Sequence, residues 1–280
     1  MKRHIFLSIL FAMTFVVETK AQDNTISSEI NKTSKTTEGK LNIDCKDCSL
    51  SLSYGVIQFH GDISENNDWN SGLSIQFNIP IAKQNFMQNF TLQTEFITGN
   101  ISAQNSKPVV INGSQGRAGN YDGEKFNMEF MEFDINLLID LSKLVDEHIK
   151  KKTIGKTELN PQVNNQKFDF FCKAGVGLNM FRSLRQELNT EPEQFINSYG
   201  YEWLWQNDFE NAGTQKSDYV SEGVFVLGII TNYKVSEQLD VNFSATSRFG
   251  NTDKWDAKLS DNNDIFMFYS LGTTFKLSKN

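Results

Sequence analysis

The chain has 280 residues, a formal charge of −7 and a hydrophobic fraction of 39%, which leaves both a soluble domain and a strand-built membrane protein open. The acidic balance excludes a phosphate-binding surface, which needs clustered Lys and Arg, so nucleic acid is not an expected partner. Beyond the N-terminus no run of about 18 apolar residues occurs, so a helical span is excluded and any membrane crossing falls to strands.

Residues 1–21 open with the basic "MKRH", continue with the apolar "IFLSILFAMTFVV" and end on a small residue. This reads as a signal peptide cut between Ala21 and Gln22. Residues 22–49, rich in Asn, Thr, Ser, Lys and Glu with hardly an aromatic, read as a flexible periplasmic leader, because they cannot bury enough apolar surface to hold one conformation. The leader ends in "CKDC". Cys45 and Cys48 could form a local disulfide, a redox motif or half a metal site, but no second CxxC or His pair completes a zinc set. Cys172, among apolar neighbours, reads as a small hydrophobe.

From Leu50 the pattern becomes period-two alternation in segments near 50–60, 71–81, 89–101, 127–140, 167–181, 222–234, 239–250 and 264–277. The seventh is the clearest. Leu239, Val241, Phe243, Ala245 and Phe249 share one face, and Asp240, Asn242, Ser244, Thr246 and Arg248 the other. The second sets Leu73, Ile75, Phe77, Ile79 and Ile81 against Ser74, Gln76 and Asn78. The eighth sets Ile265, Met267, Tyr269, Leu271, Phe275 and Leu277 against Ser270, Gly272, Thr274 and Lys276, with Phe266 and Phe268 as exceptions.

Alternation alone fits a soluble sandwich or a membrane barrel. The polar face favours the barrel: Glu95, Glu132, Asp134, Lys173, Asp240 and Arg248 fall mid-strand, with Gly175, Gly177, Gly228 and Gly272 among them. In a small barrel such charges pair inside the lumen, and glycine makes room for the long side chains. The expectation is an all-β, eight-stranded antiparallel up-and-down transmembrane β-barrel over residues 50–280. Its short inner turns are 82–88 and 235–238, and its long outer loops are 102–126 and 182–221. The connection 141–166 is too long for an inner turn. Leu141, Leu144, Val145 and Ile149 allow a short amphipathic helix there, and an ordinary loop insertion is the plainer reading. Tyr199, Tyr201, Trp203, Trp205 and Phe209 in the fifth-to-sixth connection read as an aromatic girdle or a loop-packing cluster ahead of a ligand surface.

Three stretches, "YGVIQFHGDIS" at 54–64, "FDFFCKAGVGLNMFRS" at 168–183 and "DVNFSATSRFGNTDKWDA" at 240–257 with "NDIFMFYSLGTTFKL" at 263–277, resemble the small OmpA-like outer-membrane barrels of Bacteroidetes type. The resemblance implies the outer membrane of a Gram-negative bacterium as location and outer-membrane lipid as surroundings.

No enzyme signature emerges. His60, followed by Asp62, Ser64 and Glu65, could form a catalytic group at a strand end, but a rim histidine is more simply an interfacial polar residue. Asp253, Asp256, Asp261 and Asp264 offer oxygens to a hard cation, yet lack the EF-hand spacing and read as a solvated acidic loop. No cofactor, metal or catalytic residue is expected. The functional expectation is a non-enzymatic barrel with an envelope-structural or loop-mediated binding role. Envelope proteins, met through the loops or residues 22–49, are its candidate partners; the alternatives are service as an accessory subunit of an envelope secretion machine and, behind it, a lipid-modifying barrel enzyme carried by His60 and its neighbours.

Overall fold

A computed structural model of the chain describes residues 48–67, 70–81, 86–111, 118–145, 167–188, 190, 194–201, 215–259 and 263–277. The signal-peptide and leader assignments up to residue 47, Cys45, Trp203, Trp205, Phe209 and Asp261 lie outside the described residues. Eight long strands dominate: β1 (Ser49–His60), β2 (Asn70–Pro80), β3 (Phe90–Asn105), β4 (Glu124–Asp140), β5 (Phe168–Glu187), β6 (Val220–Lys234), β7 (Leu239–Gly250) and β8 (Ile265–Lys276).

Each strand pairs antiparallel with its neighbour in sequence, and β1 pairs with β8, so the sheet is a closed up-and-down barrel. Closure leaves no barrel strand with an unpaired edge. The register gives the stagger directly. From Ser49 the Cα partners run Asn78, Gln93, Asn136, Gly175, Val226, Arg248 and Phe266, and return to β1 at Phe59, ten residues further on. A stagger of this kind tilts the strands against the barrel axis and leaves an interior that side chains can fill.

The alternation is realised strand by strand. On β7 Asp240, Asn242, Ser244, Thr246 and Arg248 are buried, while the residues between them are partly or fully exposed. Across the barrel the outward set is large and apolar. It includes Leu52, Tyr54, Leu73, Ile135, Val176, Leu227, Ile229, Phe243 and Leu271, with Val176 and Leu271 each 62% exposed. Facing water, each such half-exposed side chain forgoes part of the ~1.5–3 kcal/mol that full burial supplies, and so many in one belt mark a surface made for an apolar surrounding. Cys172 lies half-buried in β5, opposite Ile139 and Ile229, and alternates with the inward Phe171 and Lys173.

Strands β3, β4 and β5 run further than the alternation predicts: to Asn105, from Glu124 and to Glu187. In these extensions the residues alternating with the buried set are mostly polar, among them Ser102, Gln104, Lys125 and Gln186, so the apolar signature fades while the hydrogen-bond ladder continues. The extension carries a further strand, Phe195–Tyr199, beside β5, and a small hairpin of Val109–Ile111 with Gly119–Tyr121 lies in the β3–β4 connection. The long loops expected over 102–126 and 182–221 are therefore partly sheet.

At the opposite end, β6 and β7 are joined by residues 235–238. The Ser236 hydroxyl accepts hydrogen bonds from the Gln238 and Leu239 amides, an ST-type turn. The β2–β3 connection carries a 3₁₀ turn, Phe86–Asn89. After β4 the chain turns helical over 141–145, where Leu141, Leu144 and Val145 have helical spacing. Lys143 pairs with Asp140 at 3.1 Å.

Candidate functional site

The lumen is stratified along the barrel axis. Its middle is a charged layer. Lys173 on β5 pairs with Glu95 on β3 at 2.5 Å, and Arg248 on β7 reaches Glu95 at 3.0 Å and Glu132 on β4 at 2.6 Å. Glu95 also accepts hydrogen bonds from Ser74 at 2.6 Å and Gln76 at 2.8 Å, and Glu132 accepts one from Asn179 at 2.8 Å. Asp134 lies 3.8 Å from Arg248, and both its carboxylate oxygens are buried without a hydrogen-bond partner.

Five of the six mid-strand charges read from the sequence thus meet in one network. The sixth, Asp240, lies eight residues along β7 from Arg248 and pairs instead with Lys276 at 3.1 Å. Glycine makes the layer possible. A Cβ at Gly177 would sit 1.9 Å from the Asp134 carboxylate and 2.7 Å from the Phe133 carbonyl.

Towards the short-turn end lies a polar vestibule of about 310 Å³, lined by groups such as Gln76, Asn78, Gln93, Asn242, Asp240 and Lys276. Amides and hydroxyls bond across its wall: Asn242 to Thr274 at 2.9 Å, Ser53 to Asn242 at 3.0 Å and Gln93 to Asn78 at 2.8 Å. Cys48 is buried beside this end, and its carbonyl accepts the Leu277 amide.

Towards the long-loop end the lumen turns apolar, which the sequence reading did not anticipate. Ile57, Phe59, Ile97, Phe126, Phe130, Phe181, Phe266 and Phe268 form one buried cluster. Its rings lie close, Phe59 with Phe126 at 4.9 Å and Phe130 with Phe266 at 5.2 Å between centroids. Phe266 and Phe268, the exceptions in the alternation, are part of this plug. Arg248 lies beneath it, its guanidinium 5.6 Å and 5.5 Å from the two ring centres.

The β7–β8 loop lids the plug. Trp255 is fully buried against Phe266 at 5.3 Å. Around it Lys254 pairs with Glu222 at 2.9 Å, Lys258 pairs with Glu124 at 3.1 Å, and the Asn197 amide donates to the Ala257 carbonyl at 2.9 Å. Glu124 also binds the buried Arg185. Tyr199 is partly buried against the same cluster, with the Lys254 ammonium 5.8 Å from its ring centre. Its surroundings are those of loop packing, not of a girdle.

The loop acids differ from the solvated loop expected of them. Asp256 and Asp264 are fully buried and Asp253 is 6% exposed. The three side chains bring oxygens within 4.8 Å of one another. Folding buries them because their backbone and side chains organise the lid: the amides of Ile63 and Lys258 donate to Asp256 at 3.1 and 2.9 Å, and that of Trp255 to Asp264 at 2.8 Å. Burial pushes the Asp256 carboxyl up to about 7 and the Asp264 carboxyl up to about 9. Neighbouring carboxylates add to both shifts, against the backbone donors.

His60 is exposed at the end of β1. Ser64 donates instead to the Gly61 carbonyl at 2.8 Å, and Glu65 pairs with Lys107 at 3.4 Å. Among the described residues no hydrogen bond joins His60 to Asp62, Ser64 or Glu65.

No family model matches the sequence, and no curated protein matches it. Among solved structures the backbone is similar to Neisserial surface protein A, with 8% identity, a TM-score of 0.39, and coverage of 82% of this chain and 97% of that one. It is similar to Ail, the attachment invasion locus protein of Yersinia pestis, with 8% identity, a TM-score of 0.38, and coverage of 82% and 99%. It is also similar to the outer membrane protein OprG of Pseudomonas aeruginosa, with 11% identity, a TM-score of 0.37, and coverage of 84% and 98%.

Proposed function

We propose that the chain is a non-enzymatic barrel of a Gram-negative outer membrane, closed to passage, whose envelope-structural or binding role is carried by its long-loop end. The observation that carries this reading is the pairing of an apolar belt outside with a filled interior inside. Val176 and Leu271 face outward at 62% exposure, while Arg248, Glu95 and Glu132 are sealed within. A soluble protein reverses that arrangement. In lipid the belt is solvated by acyl chains, and every strand hydrogen bond is closed around the barrel.

Orientation follows from the connections. The tight turn at 235–238 suits the periplasmic side, and the polar extension of β3, β4 and β5 suits the exterior. In this orientation the vestibule opens to the periplasm and ends blindly at the charged layer and the aromatic plug. Kinship with the OmpA-like barrels is part of the same proposal, on the strength of the stretches quoted above.

The test is reconstitution. The mature chain refolded into detergent and then into planar bilayers should show heat-modifiable gel mobility and no stepwise conductance. Stable conductance steps in the unaltered protein would refute the closed-lumen reading, and a chain that stays soluble and monomeric without detergent would refute the membrane assignment.

A further inference from the structure

The acids of the β7–β8 loop belong neither to the lumen network nor to the membrane belt, and their arrangement has a chemistry of its own. We propose that Asp253, Asp256 and Asp264 form a binding site for a divalent hard cation, calcium in preference to magnesium, that fastens the lid to the mouth of the barrel.

Geometry supports the assignment first. Three carboxylate oxygens within 4.8 Å of one another can share one ion at calcium's oxygen distances of about 2.3–2.6 Å, whereas magnesium, at about 2.0–2.1 Å, requires a tighter set. The second observation is an unsatisfied acceptor. Asp264 is fully buried, its Oδ2 takes the Trp255 amide, and its Oδ1 has no hydrogen-bond partner. A buried oxygen left in that state costs about 1–3 kcal/mol, more when charged.

That oxygen faces the β1–β2 loop, where a Cβ at Gly61 would lie 2.4 Å from it. The next residue, Asp62, lies close enough to act electrostatically on Asp256, and its buried Oδ2 also lacks a partner. Thr252 adds a third such oxygen from the lid itself. Buried oxygens without a partner therefore occur on both loops, with Asp264 Oδ1 against Gly61 and Asp62 within electrostatic reach of Asp256.

The loop's own cations are directed elsewhere. Lys254 is held by Glu222 and Lys258 by Glu124. The donors that Asp256 and Asp264 meet among the described residues are backbone amides. Calcium at this position would bind the β7–β8 lid to the β1–β2 loop, joining the first and last hairpins on either side of the β1–β8 seam.

Trp255 provides the readout, because its amide is bonded to Asp264 and its ring is buried in the plug. The refolded full barrel, titrated with terbium and excited at tryptophan, should show sensitised terbium emission that calcium displaces and magnesium displaces at least tenfold less well. Asp264→Asn and Asp253→Asn should each weaken terbium binding at least tenfold while heat-modifiable mobility persists, and Glu237→Gln at the opposite end should leave it unchanged. Should either loop variant fail to refold, Thr252→Val, which keeps all three carboxylates, should still weaken binding severalfold. Emission equal in the unaltered barrel and the Asp253→Asn/Asp264→Asn double variant, or no emission at all, would overturn the site.

Discussion

Arg248 on β7 and Glu95 on β3, 153 residues apart in sequence, meet at 3.0 Å across the barrel interior, and each also holds a second partner of opposite charge. The interior is thereby cross-linked between strands that share no backbone hydrogen bonds.

The network predicts unequal costs for neighbouring acids. Glu95→Gln leaves Lys173 and part of Arg248 without a counter-charge and should destabilise the barrel by about 3–5 kcal/mol. Asp134→Asn removes a carboxylate that has no hydrogen bond and should be neutral or stabilising. Urea midpoints of refolding in one detergent, read by gel mobility, compare the two. Equal losses would show that Asp134 is an equal member of the network.

Glycine at position 177 is demanded by close approach. Gly177→Val places branched carbon against the Asp134 carboxylate and the Phe133 carbonyl, where even a Cβ would overlap. The variant should reduce the folded fraction severalfold, and Gly223→Ala, whose added carbon meets nothing within 4 Å, should not. Densitometry of the folded and unfolded bands checks both.

The outward belt predicts a depth-dependent penalty. Leu271→Arg, in the middle of the belt, should cost about 2–4 kcal/mol in lipid, and Gln58→Arg, near the outer end of β1, about 0–1 kcal/mol. Equilibrium folding into vesicles measures the pair, and equal penalties would place lipid elsewhere.

The lid predicts a pH dependence. The folded carboxyls of Asp256 and Asp264 are raised, to about 7 and about 9, above the unfolded value of about 3.9. Their contribution to lid stability is therefore full below about pH 4 and is lost as pH rises through those two values. In a chelating buffer, proteolytic cutting within 251–264 should be faster at pH 9 than at pH 5. A rate that is flat or falls over that range, after correction for the protease's own pH profile, would contradict this.

How much of this was legible in sequence follows from what alternation encodes. β7 could be read completely because its two faces differ in polarity at nearly every step, and the two faces meet two different surroundings. Phe266 and Phe268 could not be placed, because an apolar side chain looks the same whether it meets lipid or an apolar plug inside the lumen. Asp240 was grouped with Arg248 because period-two reasoning assigns a face and not a height. At about 3.3 Å per residue the two lie roughly 26 Å apart along the strand, too far to pair. The extensions of β4 and β5 were missed where outward positions turned polar, since outside lipid a strand no longer needs an apolar face. The loop acids looked solvated because their burial depends on Trp255 and on the β1–β2 loop, contacts that no local pattern announces.

The most direct measurement uses brominated lipids. In a background where Trp69, Trp203, Trp205 and Trp255 are replaced by Phe, a single Trp introduced at Leu227 should be strongly quenched by phospholipids brominated at mid-chain. The native Trp255, kept alone, should not be quenched. Leu227→Trp with red-shifted, unquenched emission would show that the outward face meets water, and a membrane-spanning barrel would then be the wrong description.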